Sequence, residues 1–263
     1  MQFIGIIPAR YASTRFPGKP LALIGDQPMI ERVYRQASKA LDKVVVATDD
    51  HRIYDTVIQF GGQAVMTRED HKCGTDRCLE AYDKLQKQNP DLRDENTVII
   101  NIQGDEPFIQ PEQIEAVKSC FPTEIATLVK PYTEEDTWEA LANPNTPKVA
   151  IHFDEDGKTG QALMFSRSII PYLRGIDKAD WLKAHKHYRH IGLYAYRGDI
   201  LRQITRLPQG QLERAESLEQ LRWLENGYRI KVAVCATQSI GIDTPDDLNR
   251  AIEFLHTIEH NKN

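Results

Sequence analysis

Cysteine is scarce in this chain: Cys73, Cys78, Cys120 and Cys235 are the only four in 263 residues, and no two form a Cys-x-x-Cys pair. Neither a disulfide framework nor a thiolate zinc site is signalled, so free thiols are expected. No apolar run approaches the ~18 residues of a membrane-spanning helix, so no membrane partner is expected. A basic surplus is missing too. With 33 Lys+Arg against 38 Asp+Glu the formal charge is −5, which disfavours a nucleic-acid binder that relies on a broad basic surface. An anionic ligand must instead be met by a local pocket. Two common phosphate-binding signatures, Gly-x-x-x-x-Gly-Lys-[Ser/Thr] and Gly-x-Gly-x-x-Gly, occur nowhere, which sets aside P-loop NTPases and dinucleotide dehydrogenases. The opening residues Met1 to Pro8 carry no basic stretch and too short an apolar one for a secretion signal, so a cytoplasmic location is expected.

The hydrophobic fraction of 41% and charged fraction of 27% fit a soluble globular chain, read as one large domain over residues 1–263. Short β-branched runs at Phe3–Ile7, Val44–Thr48, Ala64–Met66, Val98–Ile102 and Ile125–Val129 are apolar on successive residues, as strands covered on both faces should be. Helical patterns separate them, over 27–41 with Pro28 in the first turn, and near 50–60, 75–87 and 111–120. This alternation predicts an α/β fold with a mostly parallel sheet. Past the breaker Asn143-Pro144-Asn145-Thr146-Pro147 the pattern changes. Runs at Val149–Phe153, Gln161–Phe165 and Ile191–Tyr196 mix polar with apolar residues and read as antiparallel strands. Residues 150–205 therefore form an excursion suited to substrate binding or dimerisation. A helix is expected over Leu212–Asn226, a strand over Ile230–Ala236, and a last helix after Asp243, capped by Thr244 with Asp247 and carrying Pro245 at its first position.

Three segments carry chemistry. The loop after the first strand, Pro8-Ala9-Arg10-Tyr11-Ala12-Ser13-Thr14-Arg15-Phe16-Pro17-Gly18-Lys19, places three cations where open α/β sheets bind ligands. Guanidinium forks and a mobile ammonium suit a polyphosphate, and a solvated basic loop is the alternative. In Asn101-Ile102-Gln103-Gly104-Asp105-Glu106-Pro107, the acid Asp105 follows a buried strand and a glycine that permits close approach, so it is a candidate Mg²⁺ ligand, or else a turn aspartate. Asp243, between the last strand and the last helix, is the candidate second ligand, with helix-terminus electrostatics as the alternative. Lys72-Cys73-Gly74-Thr75-Asp76-Arg77 opens a helix whose N–H groups can meet a base or ribose. The spacing His185-x-His187-x-x-His190 matches no usual zinc motif, and its basic neighbours oppose a cation.

These segments, together with His-Ile-Gly-Leu-Tyr-Ala-Tyr-Arg at 190–197, Ser-Leu-Glu-Gln-Leu-Arg at 217–222 and Gly-Ile-Asp-Thr-Pro-Asp-Asp-Leu at 241–248, closely resemble the 3-deoxy-manno-octulosonate cytidylyltransferase family, the CMP-Kdo synthetases, over essentially the whole chain. The resemblance implies a nucleotide-diphospho-sugar transferase (Rossmann-like) fold with a mixed, mostly parallel sheet and a small antiparallel dimerisation excursion, in a homodimer. It implies the reaction CTP + Kdo → CMP-Kdo + pyrophosphate with Mg²⁺, for lipopolysaccharide biosynthesis. By the same resemblance Pro8, Ala9, Arg10, Arg15 and Lys19 meet the triphosphate, Gly74, Thr75 and Arg77 lie near the cytidine, and Gln103 and Asp105 stand between nucleotide and sugar. Arg167, His190, Tyr194, Glu219 and Gln220 match positions around the Kdo carboxylate and hydroxyls. Asp105 and Asp243 match the metal carboxylates, and Arg10, Lys19, Asp105 and Asp243 carry catalysis. Another acidic sugar of the sialic-acid type, or a nucleotide-binding module without chemistry, are the competing readings. The family more often has serine where this chain has Cys73, a weaker hydrogen-bonding group.

Overall fold

The computed structural model describes residues 1–12, 16–237 and 241–260. The chain divides into two compact units, residues 1–114 with the segment from 238 onward, and residues 115–237.

The first unit begins with β1 (Gln2–Ala9), a short 3-10 turn at Lys19–Leu21, and the two-residue strands β2 (Leu23–Ile24) and β3 (Gln27–Pro28). There follow α1 (Met29–Ala37), β4 (Val44–Thr48), α2 (His51–Gln59), β5 (Ala64–Met66), α3 (Gly74–Gln88), β6 (Thr97–Asn101) and α4 (Pro111–Lys118), which reaches the unit boundary. All five residues of β4 and all five of β6 are buried, which is why the sequence shows unbroken apolar runs there rather than an alternation. Strands β5, β4, β1 and β6 lie side by side in that order, and every neighbouring pair is parallel. The chain moves outward from β1 to β4 and β5 and then returns to the other flank of β1 as β6. Strand order therefore reverses between β1 and β6, whose carboxyl ends form the switch-point crevice in which such sheets bind ligands.

The expected helix over 27–41 is shorter than predicted. Pro28 belongs to β3 and is the N-cap of α1, not its first turn. At the other end the Ser38 hydroxyl donates to the Tyr34 carbonyl at 2.9 Å, and tight turns from Lys39 N–H to Gln36 O and Ala40 N–H to Ala37 O follow. Those turns end the helix and swing Leu41 into the core as a separate residue, 6% exposed.

The second unit contains β7 (Ile125–Pro131), α5 (Trp138–Ala142), β8 (Lys148–Phe153), β9 (Thr159–Ser166), α6 (Trp181–Ala184), β10 (Tyr188–Arg197), α7 (Gly198–Ile204), α8 (Gln211–Glu216), α9 (Glu219–Glu225) and β11 (Ile230–Val234). Its sheet is mixed. β7 and β11 pair in parallel, whereas β10 with β7, β11 with β9 and β9 with β8 are antiparallel. The wetter strands expected between 149 and 196 are present as antiparallel neighbours. The single helix expected over 212–226 is instead two, α8 and α9, broken at Ser217 with φ of 51°. Arg167 explains the break: its Nε donates to the Glu216 carbonyl at 2.6 Å and its Nη2 to the Ser217 carbonyl at 3.3 Å, satisfying from outside the groups a continuing helix would have used.

The first unit closes with α10 (Pro245–His260), started by the predicted cap. Asp247 N–H donates to Thr244 Oγ1 at 3.2 Å while the Asp247 carboxylate accepts from the Thr244 N–H at 2.9 Å. Ile242, Ala251 and Leu255 bury this end of the chain against Ile24, Met29 and Phe108. The segment holding Asp243 is thereby fastened to the rest of the unit by apolar packing.

Candidate active site

A cavity of about 260 Å³ opens at the carboxyl ends of β1 and β6, lined by Pro8, Ala9, Arg10, Ala12, Lys19, Pro20, Cys73, Gly74, Arg77, Gln103, Gly104, Asp105 and Asp243. Four sequence segments, around residues 8–20, 73–77, 103–105 and 243, converge here. The convergence has local causes. Gly104 lies so close to β1 that a Cβ on it would stand 2.9 Å from the Pro8 carbonyl oxygen, so only glycine brings the loop after β6 against the loop after β1. The Ile242 N–H donates to the Asp105 carbonyl at 2.9 Å, which ties the segment before α10 to the same loop. Gly18, with φ of 71°, turns the chain back so that its N–H reaches the Tyr11 carbonyl at 2.9 Å, and the 3-10 turn that follows aims Lys19 inward.

Lys19 is the centre of the arrangement. Its ammonium donates to Asp105 Oδ2 at 2.7 Å, to the Ile242 carbonyl at 2.8 Å and to Asp243 Oδ1 at 3.4 Å. The Lys19 side chain is 14% exposed, against 32% for Asp105 and 53% for Asp243. Asp243 is held from behind: its N–H donates to Asp247 Oδ2 at 3.0 Å. Burial opposes ionisation of Asp247, but the Thr244 hydroxyl, the Asp243 N–H and the Arg250 guanidinium outweigh it and hold the carboxyl down to about 2. Two carboxylates and a carbonyl aimed at one cation are hard oxygen donors, a set that suits Mg²⁺ completed by waters and phosphate oxygens.

The first turn of α3 forms another wall. Gly74 packs with the site a Cβ would occupy 3.3 Å from Pro8 Cγ, and Cys73, the N-cap residue, makes no capping bond through its thiol. Thr75, 2% exposed, lies one residue into the helix and is buried rather than lining the cavity. Arg77 does line it, yet is only 1% exposed and paired with an acid: Nη2 donates to Asp49 Oδ2 at 2.6 Å and Nη1 to Thr67 Oγ1 at 2.5 Å. Its charge is answered within the protein, so it shapes the wall near the helix start instead of offering a free cation. Asp49 and Thr67 escaped sequence reasoning. The available signal was Asp49 itself, an acid directly after a fully buried strand.

Arg10 stands exposed at the cavity rim. Arg15 lies outside the described residues. Tyr11, next to Arg10, is stacked under the Arg52 guanidinium, 3.3 Å from its ring centroid, and Arg52 is held in turn by both carboxylate oxygens of Asp50. This anchor for the start of the basic loop was also missed, because nothing in the local pattern links positions 11 and 52.

The second unit holds the other predicted residues. His190 and Tyr194 project from β10, where its register against β7 shifts between Ile191 and Tyr194. The Thr127 hydroxyl sits in that irregularity, 2.9 Å from the Leu193 carbonyl and 3.1 Å from His190 Nε2. A hydroxyl has one proton; spent on a carbonyl, it leaves its oxygen to accept from His190, which places a proton on Nε2. Burial pushes the His190 pKa down to about 4, which favours the neutral ring with that proton on Nε2. Phe165 packs edge-on against His190, and Tyr194 against Trp223 of α9, with ring centroids 5.2 Å apart in both pairs. Burial, with the Glu219 charge nearby, raises the Tyr194 phenol well above its ordinary pKa. Gln220 Nε2 and Trp223 Nε1 are buried polar atoms without a hydrogen-bond partner among the described residues, and the Tyr194 hydroxyl is buried with the Thr127 hydroxyl as its polar neighbour. Such atoms are rare in folded proteins and are what a polar ligand would satisfy. Glu219 is oriented by Arg222, whose Nη2 donates to it at 3.3 Å and to the buried Glu213 at 3.0 Å. Arg167 differs from the others. Besides its bonds to Glu216 and Ser217 at the α8–α9 corner, its Nη1 donates to the Pro144 carbonyl at 2.9 Å, so three of its five N–H groups are already used.

Comparison with known proteins adds independent findings. Residues 4–230 match the family model described as Cytidylyltransferase. The 3-deoxy-manno-octulosonate cytidylyltransferase of Phocaeicola vulgatus is 60% identical over 258 residues, covering 97% of this chain and 98% of that protein. The protein of the same name from Thermodesulfovibrio yellowstonii is 48% identical, covering 98% and 99% respectively. Among solved structures, that of CMP:2-keto-3-deoxy-manno-octonic acid synthetase complexed with CTP superposes with a TM-score of 0.85 at 37% identity, over 98% of this chain and 99% of the other.

Proposed function

Because this chain belongs to the cytidylyltransferase family, we propose that it transfers CMP from CTP to the anomeric hydroxyl of 3-deoxy-D-manno-octulosonate (Kdo), releasing pyrophosphate, for lipopolysaccharide biosynthesis. The observation that carries the reading is the meeting of Lys19, Asp105 and Asp243 in the crevice after β1 and β6. Those groups suit a reaction in which the sugar hydroxyl attacks the α-phosphorus and pyrophosphate leaves in line, so that negative charge on the phosphate oxygens must be neutralised.

Asp105 and Asp243 are the residues that would hold Mg²⁺, and the ion would supply charge neutralisation on the triphosphate and a lowered pKa for the attacking hydroxyl. Arg10, Arg15 and Lys19 bind phosphate oxygens, the guanidinium groups as forks and the ammonium as a point charge on the leaving pyrophosphate. Pro8, Ala9, Gly74 and Arg77 shape the nucleotide wall, with Thr75 buried behind it, and Gln103 offers its amide to nucleotide or sugar. In the second unit Tyr194, Glu219, Gln220 and His190 meet sugar hydroxyls, which the unpartnered Gln220 Nε2 supports. Arg167 has two N–H groups left for the Kdo carboxylate. His190 orients and does not take the proton: a base whose conjugate acid ionises near 4 is too weak to deprotonate a sugar hydroxyl at neutral pH.

The protein works as a homodimer. Leu163 and Tyr172, 61% and 72% exposed, and Ile176, 40% exposed, lie in the antiparallel region over 150–205 and favour a covered face there. Its place is the cytoplasm, in keeping with four free cysteines. Among the described residues no helix is long and apolar enough to cross a membrane.

Pyrophosphate release tests the reading. With saturating CTP and Mg²⁺, purified protein is expected to release pyrophosphate when Kdo is added and far more slowly with sialic acid or without an acceptor. Faster turnover of sialic acid, or none with Kdo, contradicts it.

A further inference from the structure

The three N–H donors of the Lys19 ammonium are all spent on the oxygens that suit a divalent ion: Asp105 Oδ2, Ile242 O and Asp243 Oδ1. We infer that Lys19 is a built-in counter-ion, which occupies the cation position between Asp105 and Asp243 until a triphosphate draws it away, so that divalent metal enters only together with the nucleotide. This rests on the reading of Asp105 and Asp243 as the metal carboxylates.

Two features support a displaceable occupant rather than a structural clamp. First, the acids are held together without Lys19. The Ile242 N–H to Asp105 carbonyl bond joins their backbones, the Asp247 carboxylate grips the Asp243 N–H, and the apolar cluster of Ile242, Ala251 and Leu255 anchors the segment. Withdrawing the ammonium leaves the pair in place. Second, Lys19 is the flexible member: four methylenes carry its charge, and the chain is turned toward the acids by Gly18 at φ 71°.

Charge then sets the order of binding. With the ammonium present the pair presents a net charge of about −1, and with it gone about −2, so a divalent ion entering the nucleotide-free site must displace a cation already satisfied by three oxygens. A triphosphate changes the balance, because it offers the ammonium other anionic oxygens. Metal and nucleotide therefore bind with positive coupling, and each tightens the other by the same factor. The benefit is protection of the crevice from loading metal alone.

Mn²⁺ titration of the nucleotide-free full-length protein, followed by electron paramagnetic resonance, tests this without turnover. Lys19→Met is expected to bind Mn²⁺ on the order of tenfold or more tightly than the unaltered protein. Lys19→Arg, which keeps the charge, is expected to stay weak, and adding Asp105→Asn to Lys19→Met is expected to abolish the gain. Circular dichroism and thermal melting establish that each variant folds. Equal Mn²⁺ affinity in Lys19→Met and the unaltered protein, alongside Kdo-dependent pyrophosphate release by the latter, overturns the inference while the functional reading survives. A gain that Asp105→Asn does not remove overturns it as well, because the ion then binds elsewhere. Absence of pyrophosphate release together with absence of Mn²⁺ binding overturns both.

Discussion

Removing the Asp49 carboxylate should unfold the nucleotide wall from behind. Asp49 is the anionic partner of Arg77, a guanidinium 1% exposed whose other close acceptor is the neutral Thr67 hydroxyl. A guanidinium stays protonated at any working pH, so Asp49→Ala leaves a buried charge with one neutral oxygen to answer it. Breaking such a pair from one side costs about 3–5 kcal/mol, a large part of the ~5–15 kcal/mol that holds a typical domain. At roughly 2–4 °C per kcal/mol for a chain of this size, the melting temperature should fall by on the order of 10 °C. The control is Asp49→Ala with Arg77→Met, which removes both charges and fills the space with apolar volume; most of the loss should return, because the desolvation cost goes with the charge. Urea unfolding followed by circular dichroism gives the three free energies. A loss under about 1 kcal/mol for Asp49→Ala, or a double variant no more stable than the single, refutes the assignment of Arg77 as a buried, internally paired residue.

Asp105→Asn should lower kcat by on the order of 10² or more with CTP binding largely kept, as equilibrium dialysis with labelled CTP would show; unchanged kcat removes Asp105 from the metal set. Gly104→Ala places a methyl group 2.9 Å from the Pro8 carbonyl and should cost about 1–3 kcal/mol of stability while raising KM for CTP, whereas a variant with both values unchanged shows that the two loops do not need this contact. His190 predicts a pH effect of definite sign. Its pKa falls from 6.5 to about 4 in the fold, so its contribution to stability is intact above 6.5 and is lost as pH drops toward 4, where the unfolded chain takes the proton first. His190→Gln should flatten that limb of the unfolding free energy, and an unaltered slope between those values contradicts a buried neutral imidazole.

The parallel strands were legible because burial on both faces leaves unbroken β-branched runs, as in Val44–Thr48, where the predicted and observed ends coincide. Their carboxyl ends then pointed to Arg10 and Asp105, and the Thr244 and Asp247 capping pattern pointed to Asp243. What stayed hidden was fixed by partners distant in sequence. The break at Ser217 depends on Arg167, fifty positions away, and the true use of Arg77 depends on Asp49, twenty-eight positions away. A single helical period over 212–226 could not show an outside guanidinium taking two carbonyls, nor that three Arg167 N–H groups are engaged by Glu216, Ser217 and Pro144. The ends of the helix expected over 27–41 were misplaced for a different reason: Pro28, expected in the first turn, and Leu41 are half-buried and buried next to α1 without belonging to it.

In the proposed function, cations after β1 and two acids from distant segments serve one triphosphate through one divalent ion. A crystal structure with CTP and Mn²⁺, with the metal located by its anomalous scattering, tests it most directly. A single strong peak is expected, bonded to Asp105, Asp243 and a phosphate oxygen, with Lys19 moved onto the phosphates and Arg10 beside them. A metal bound away from both carboxylates, or a triphosphate lying out of reach of Arg10 and Lys19, would contradict it.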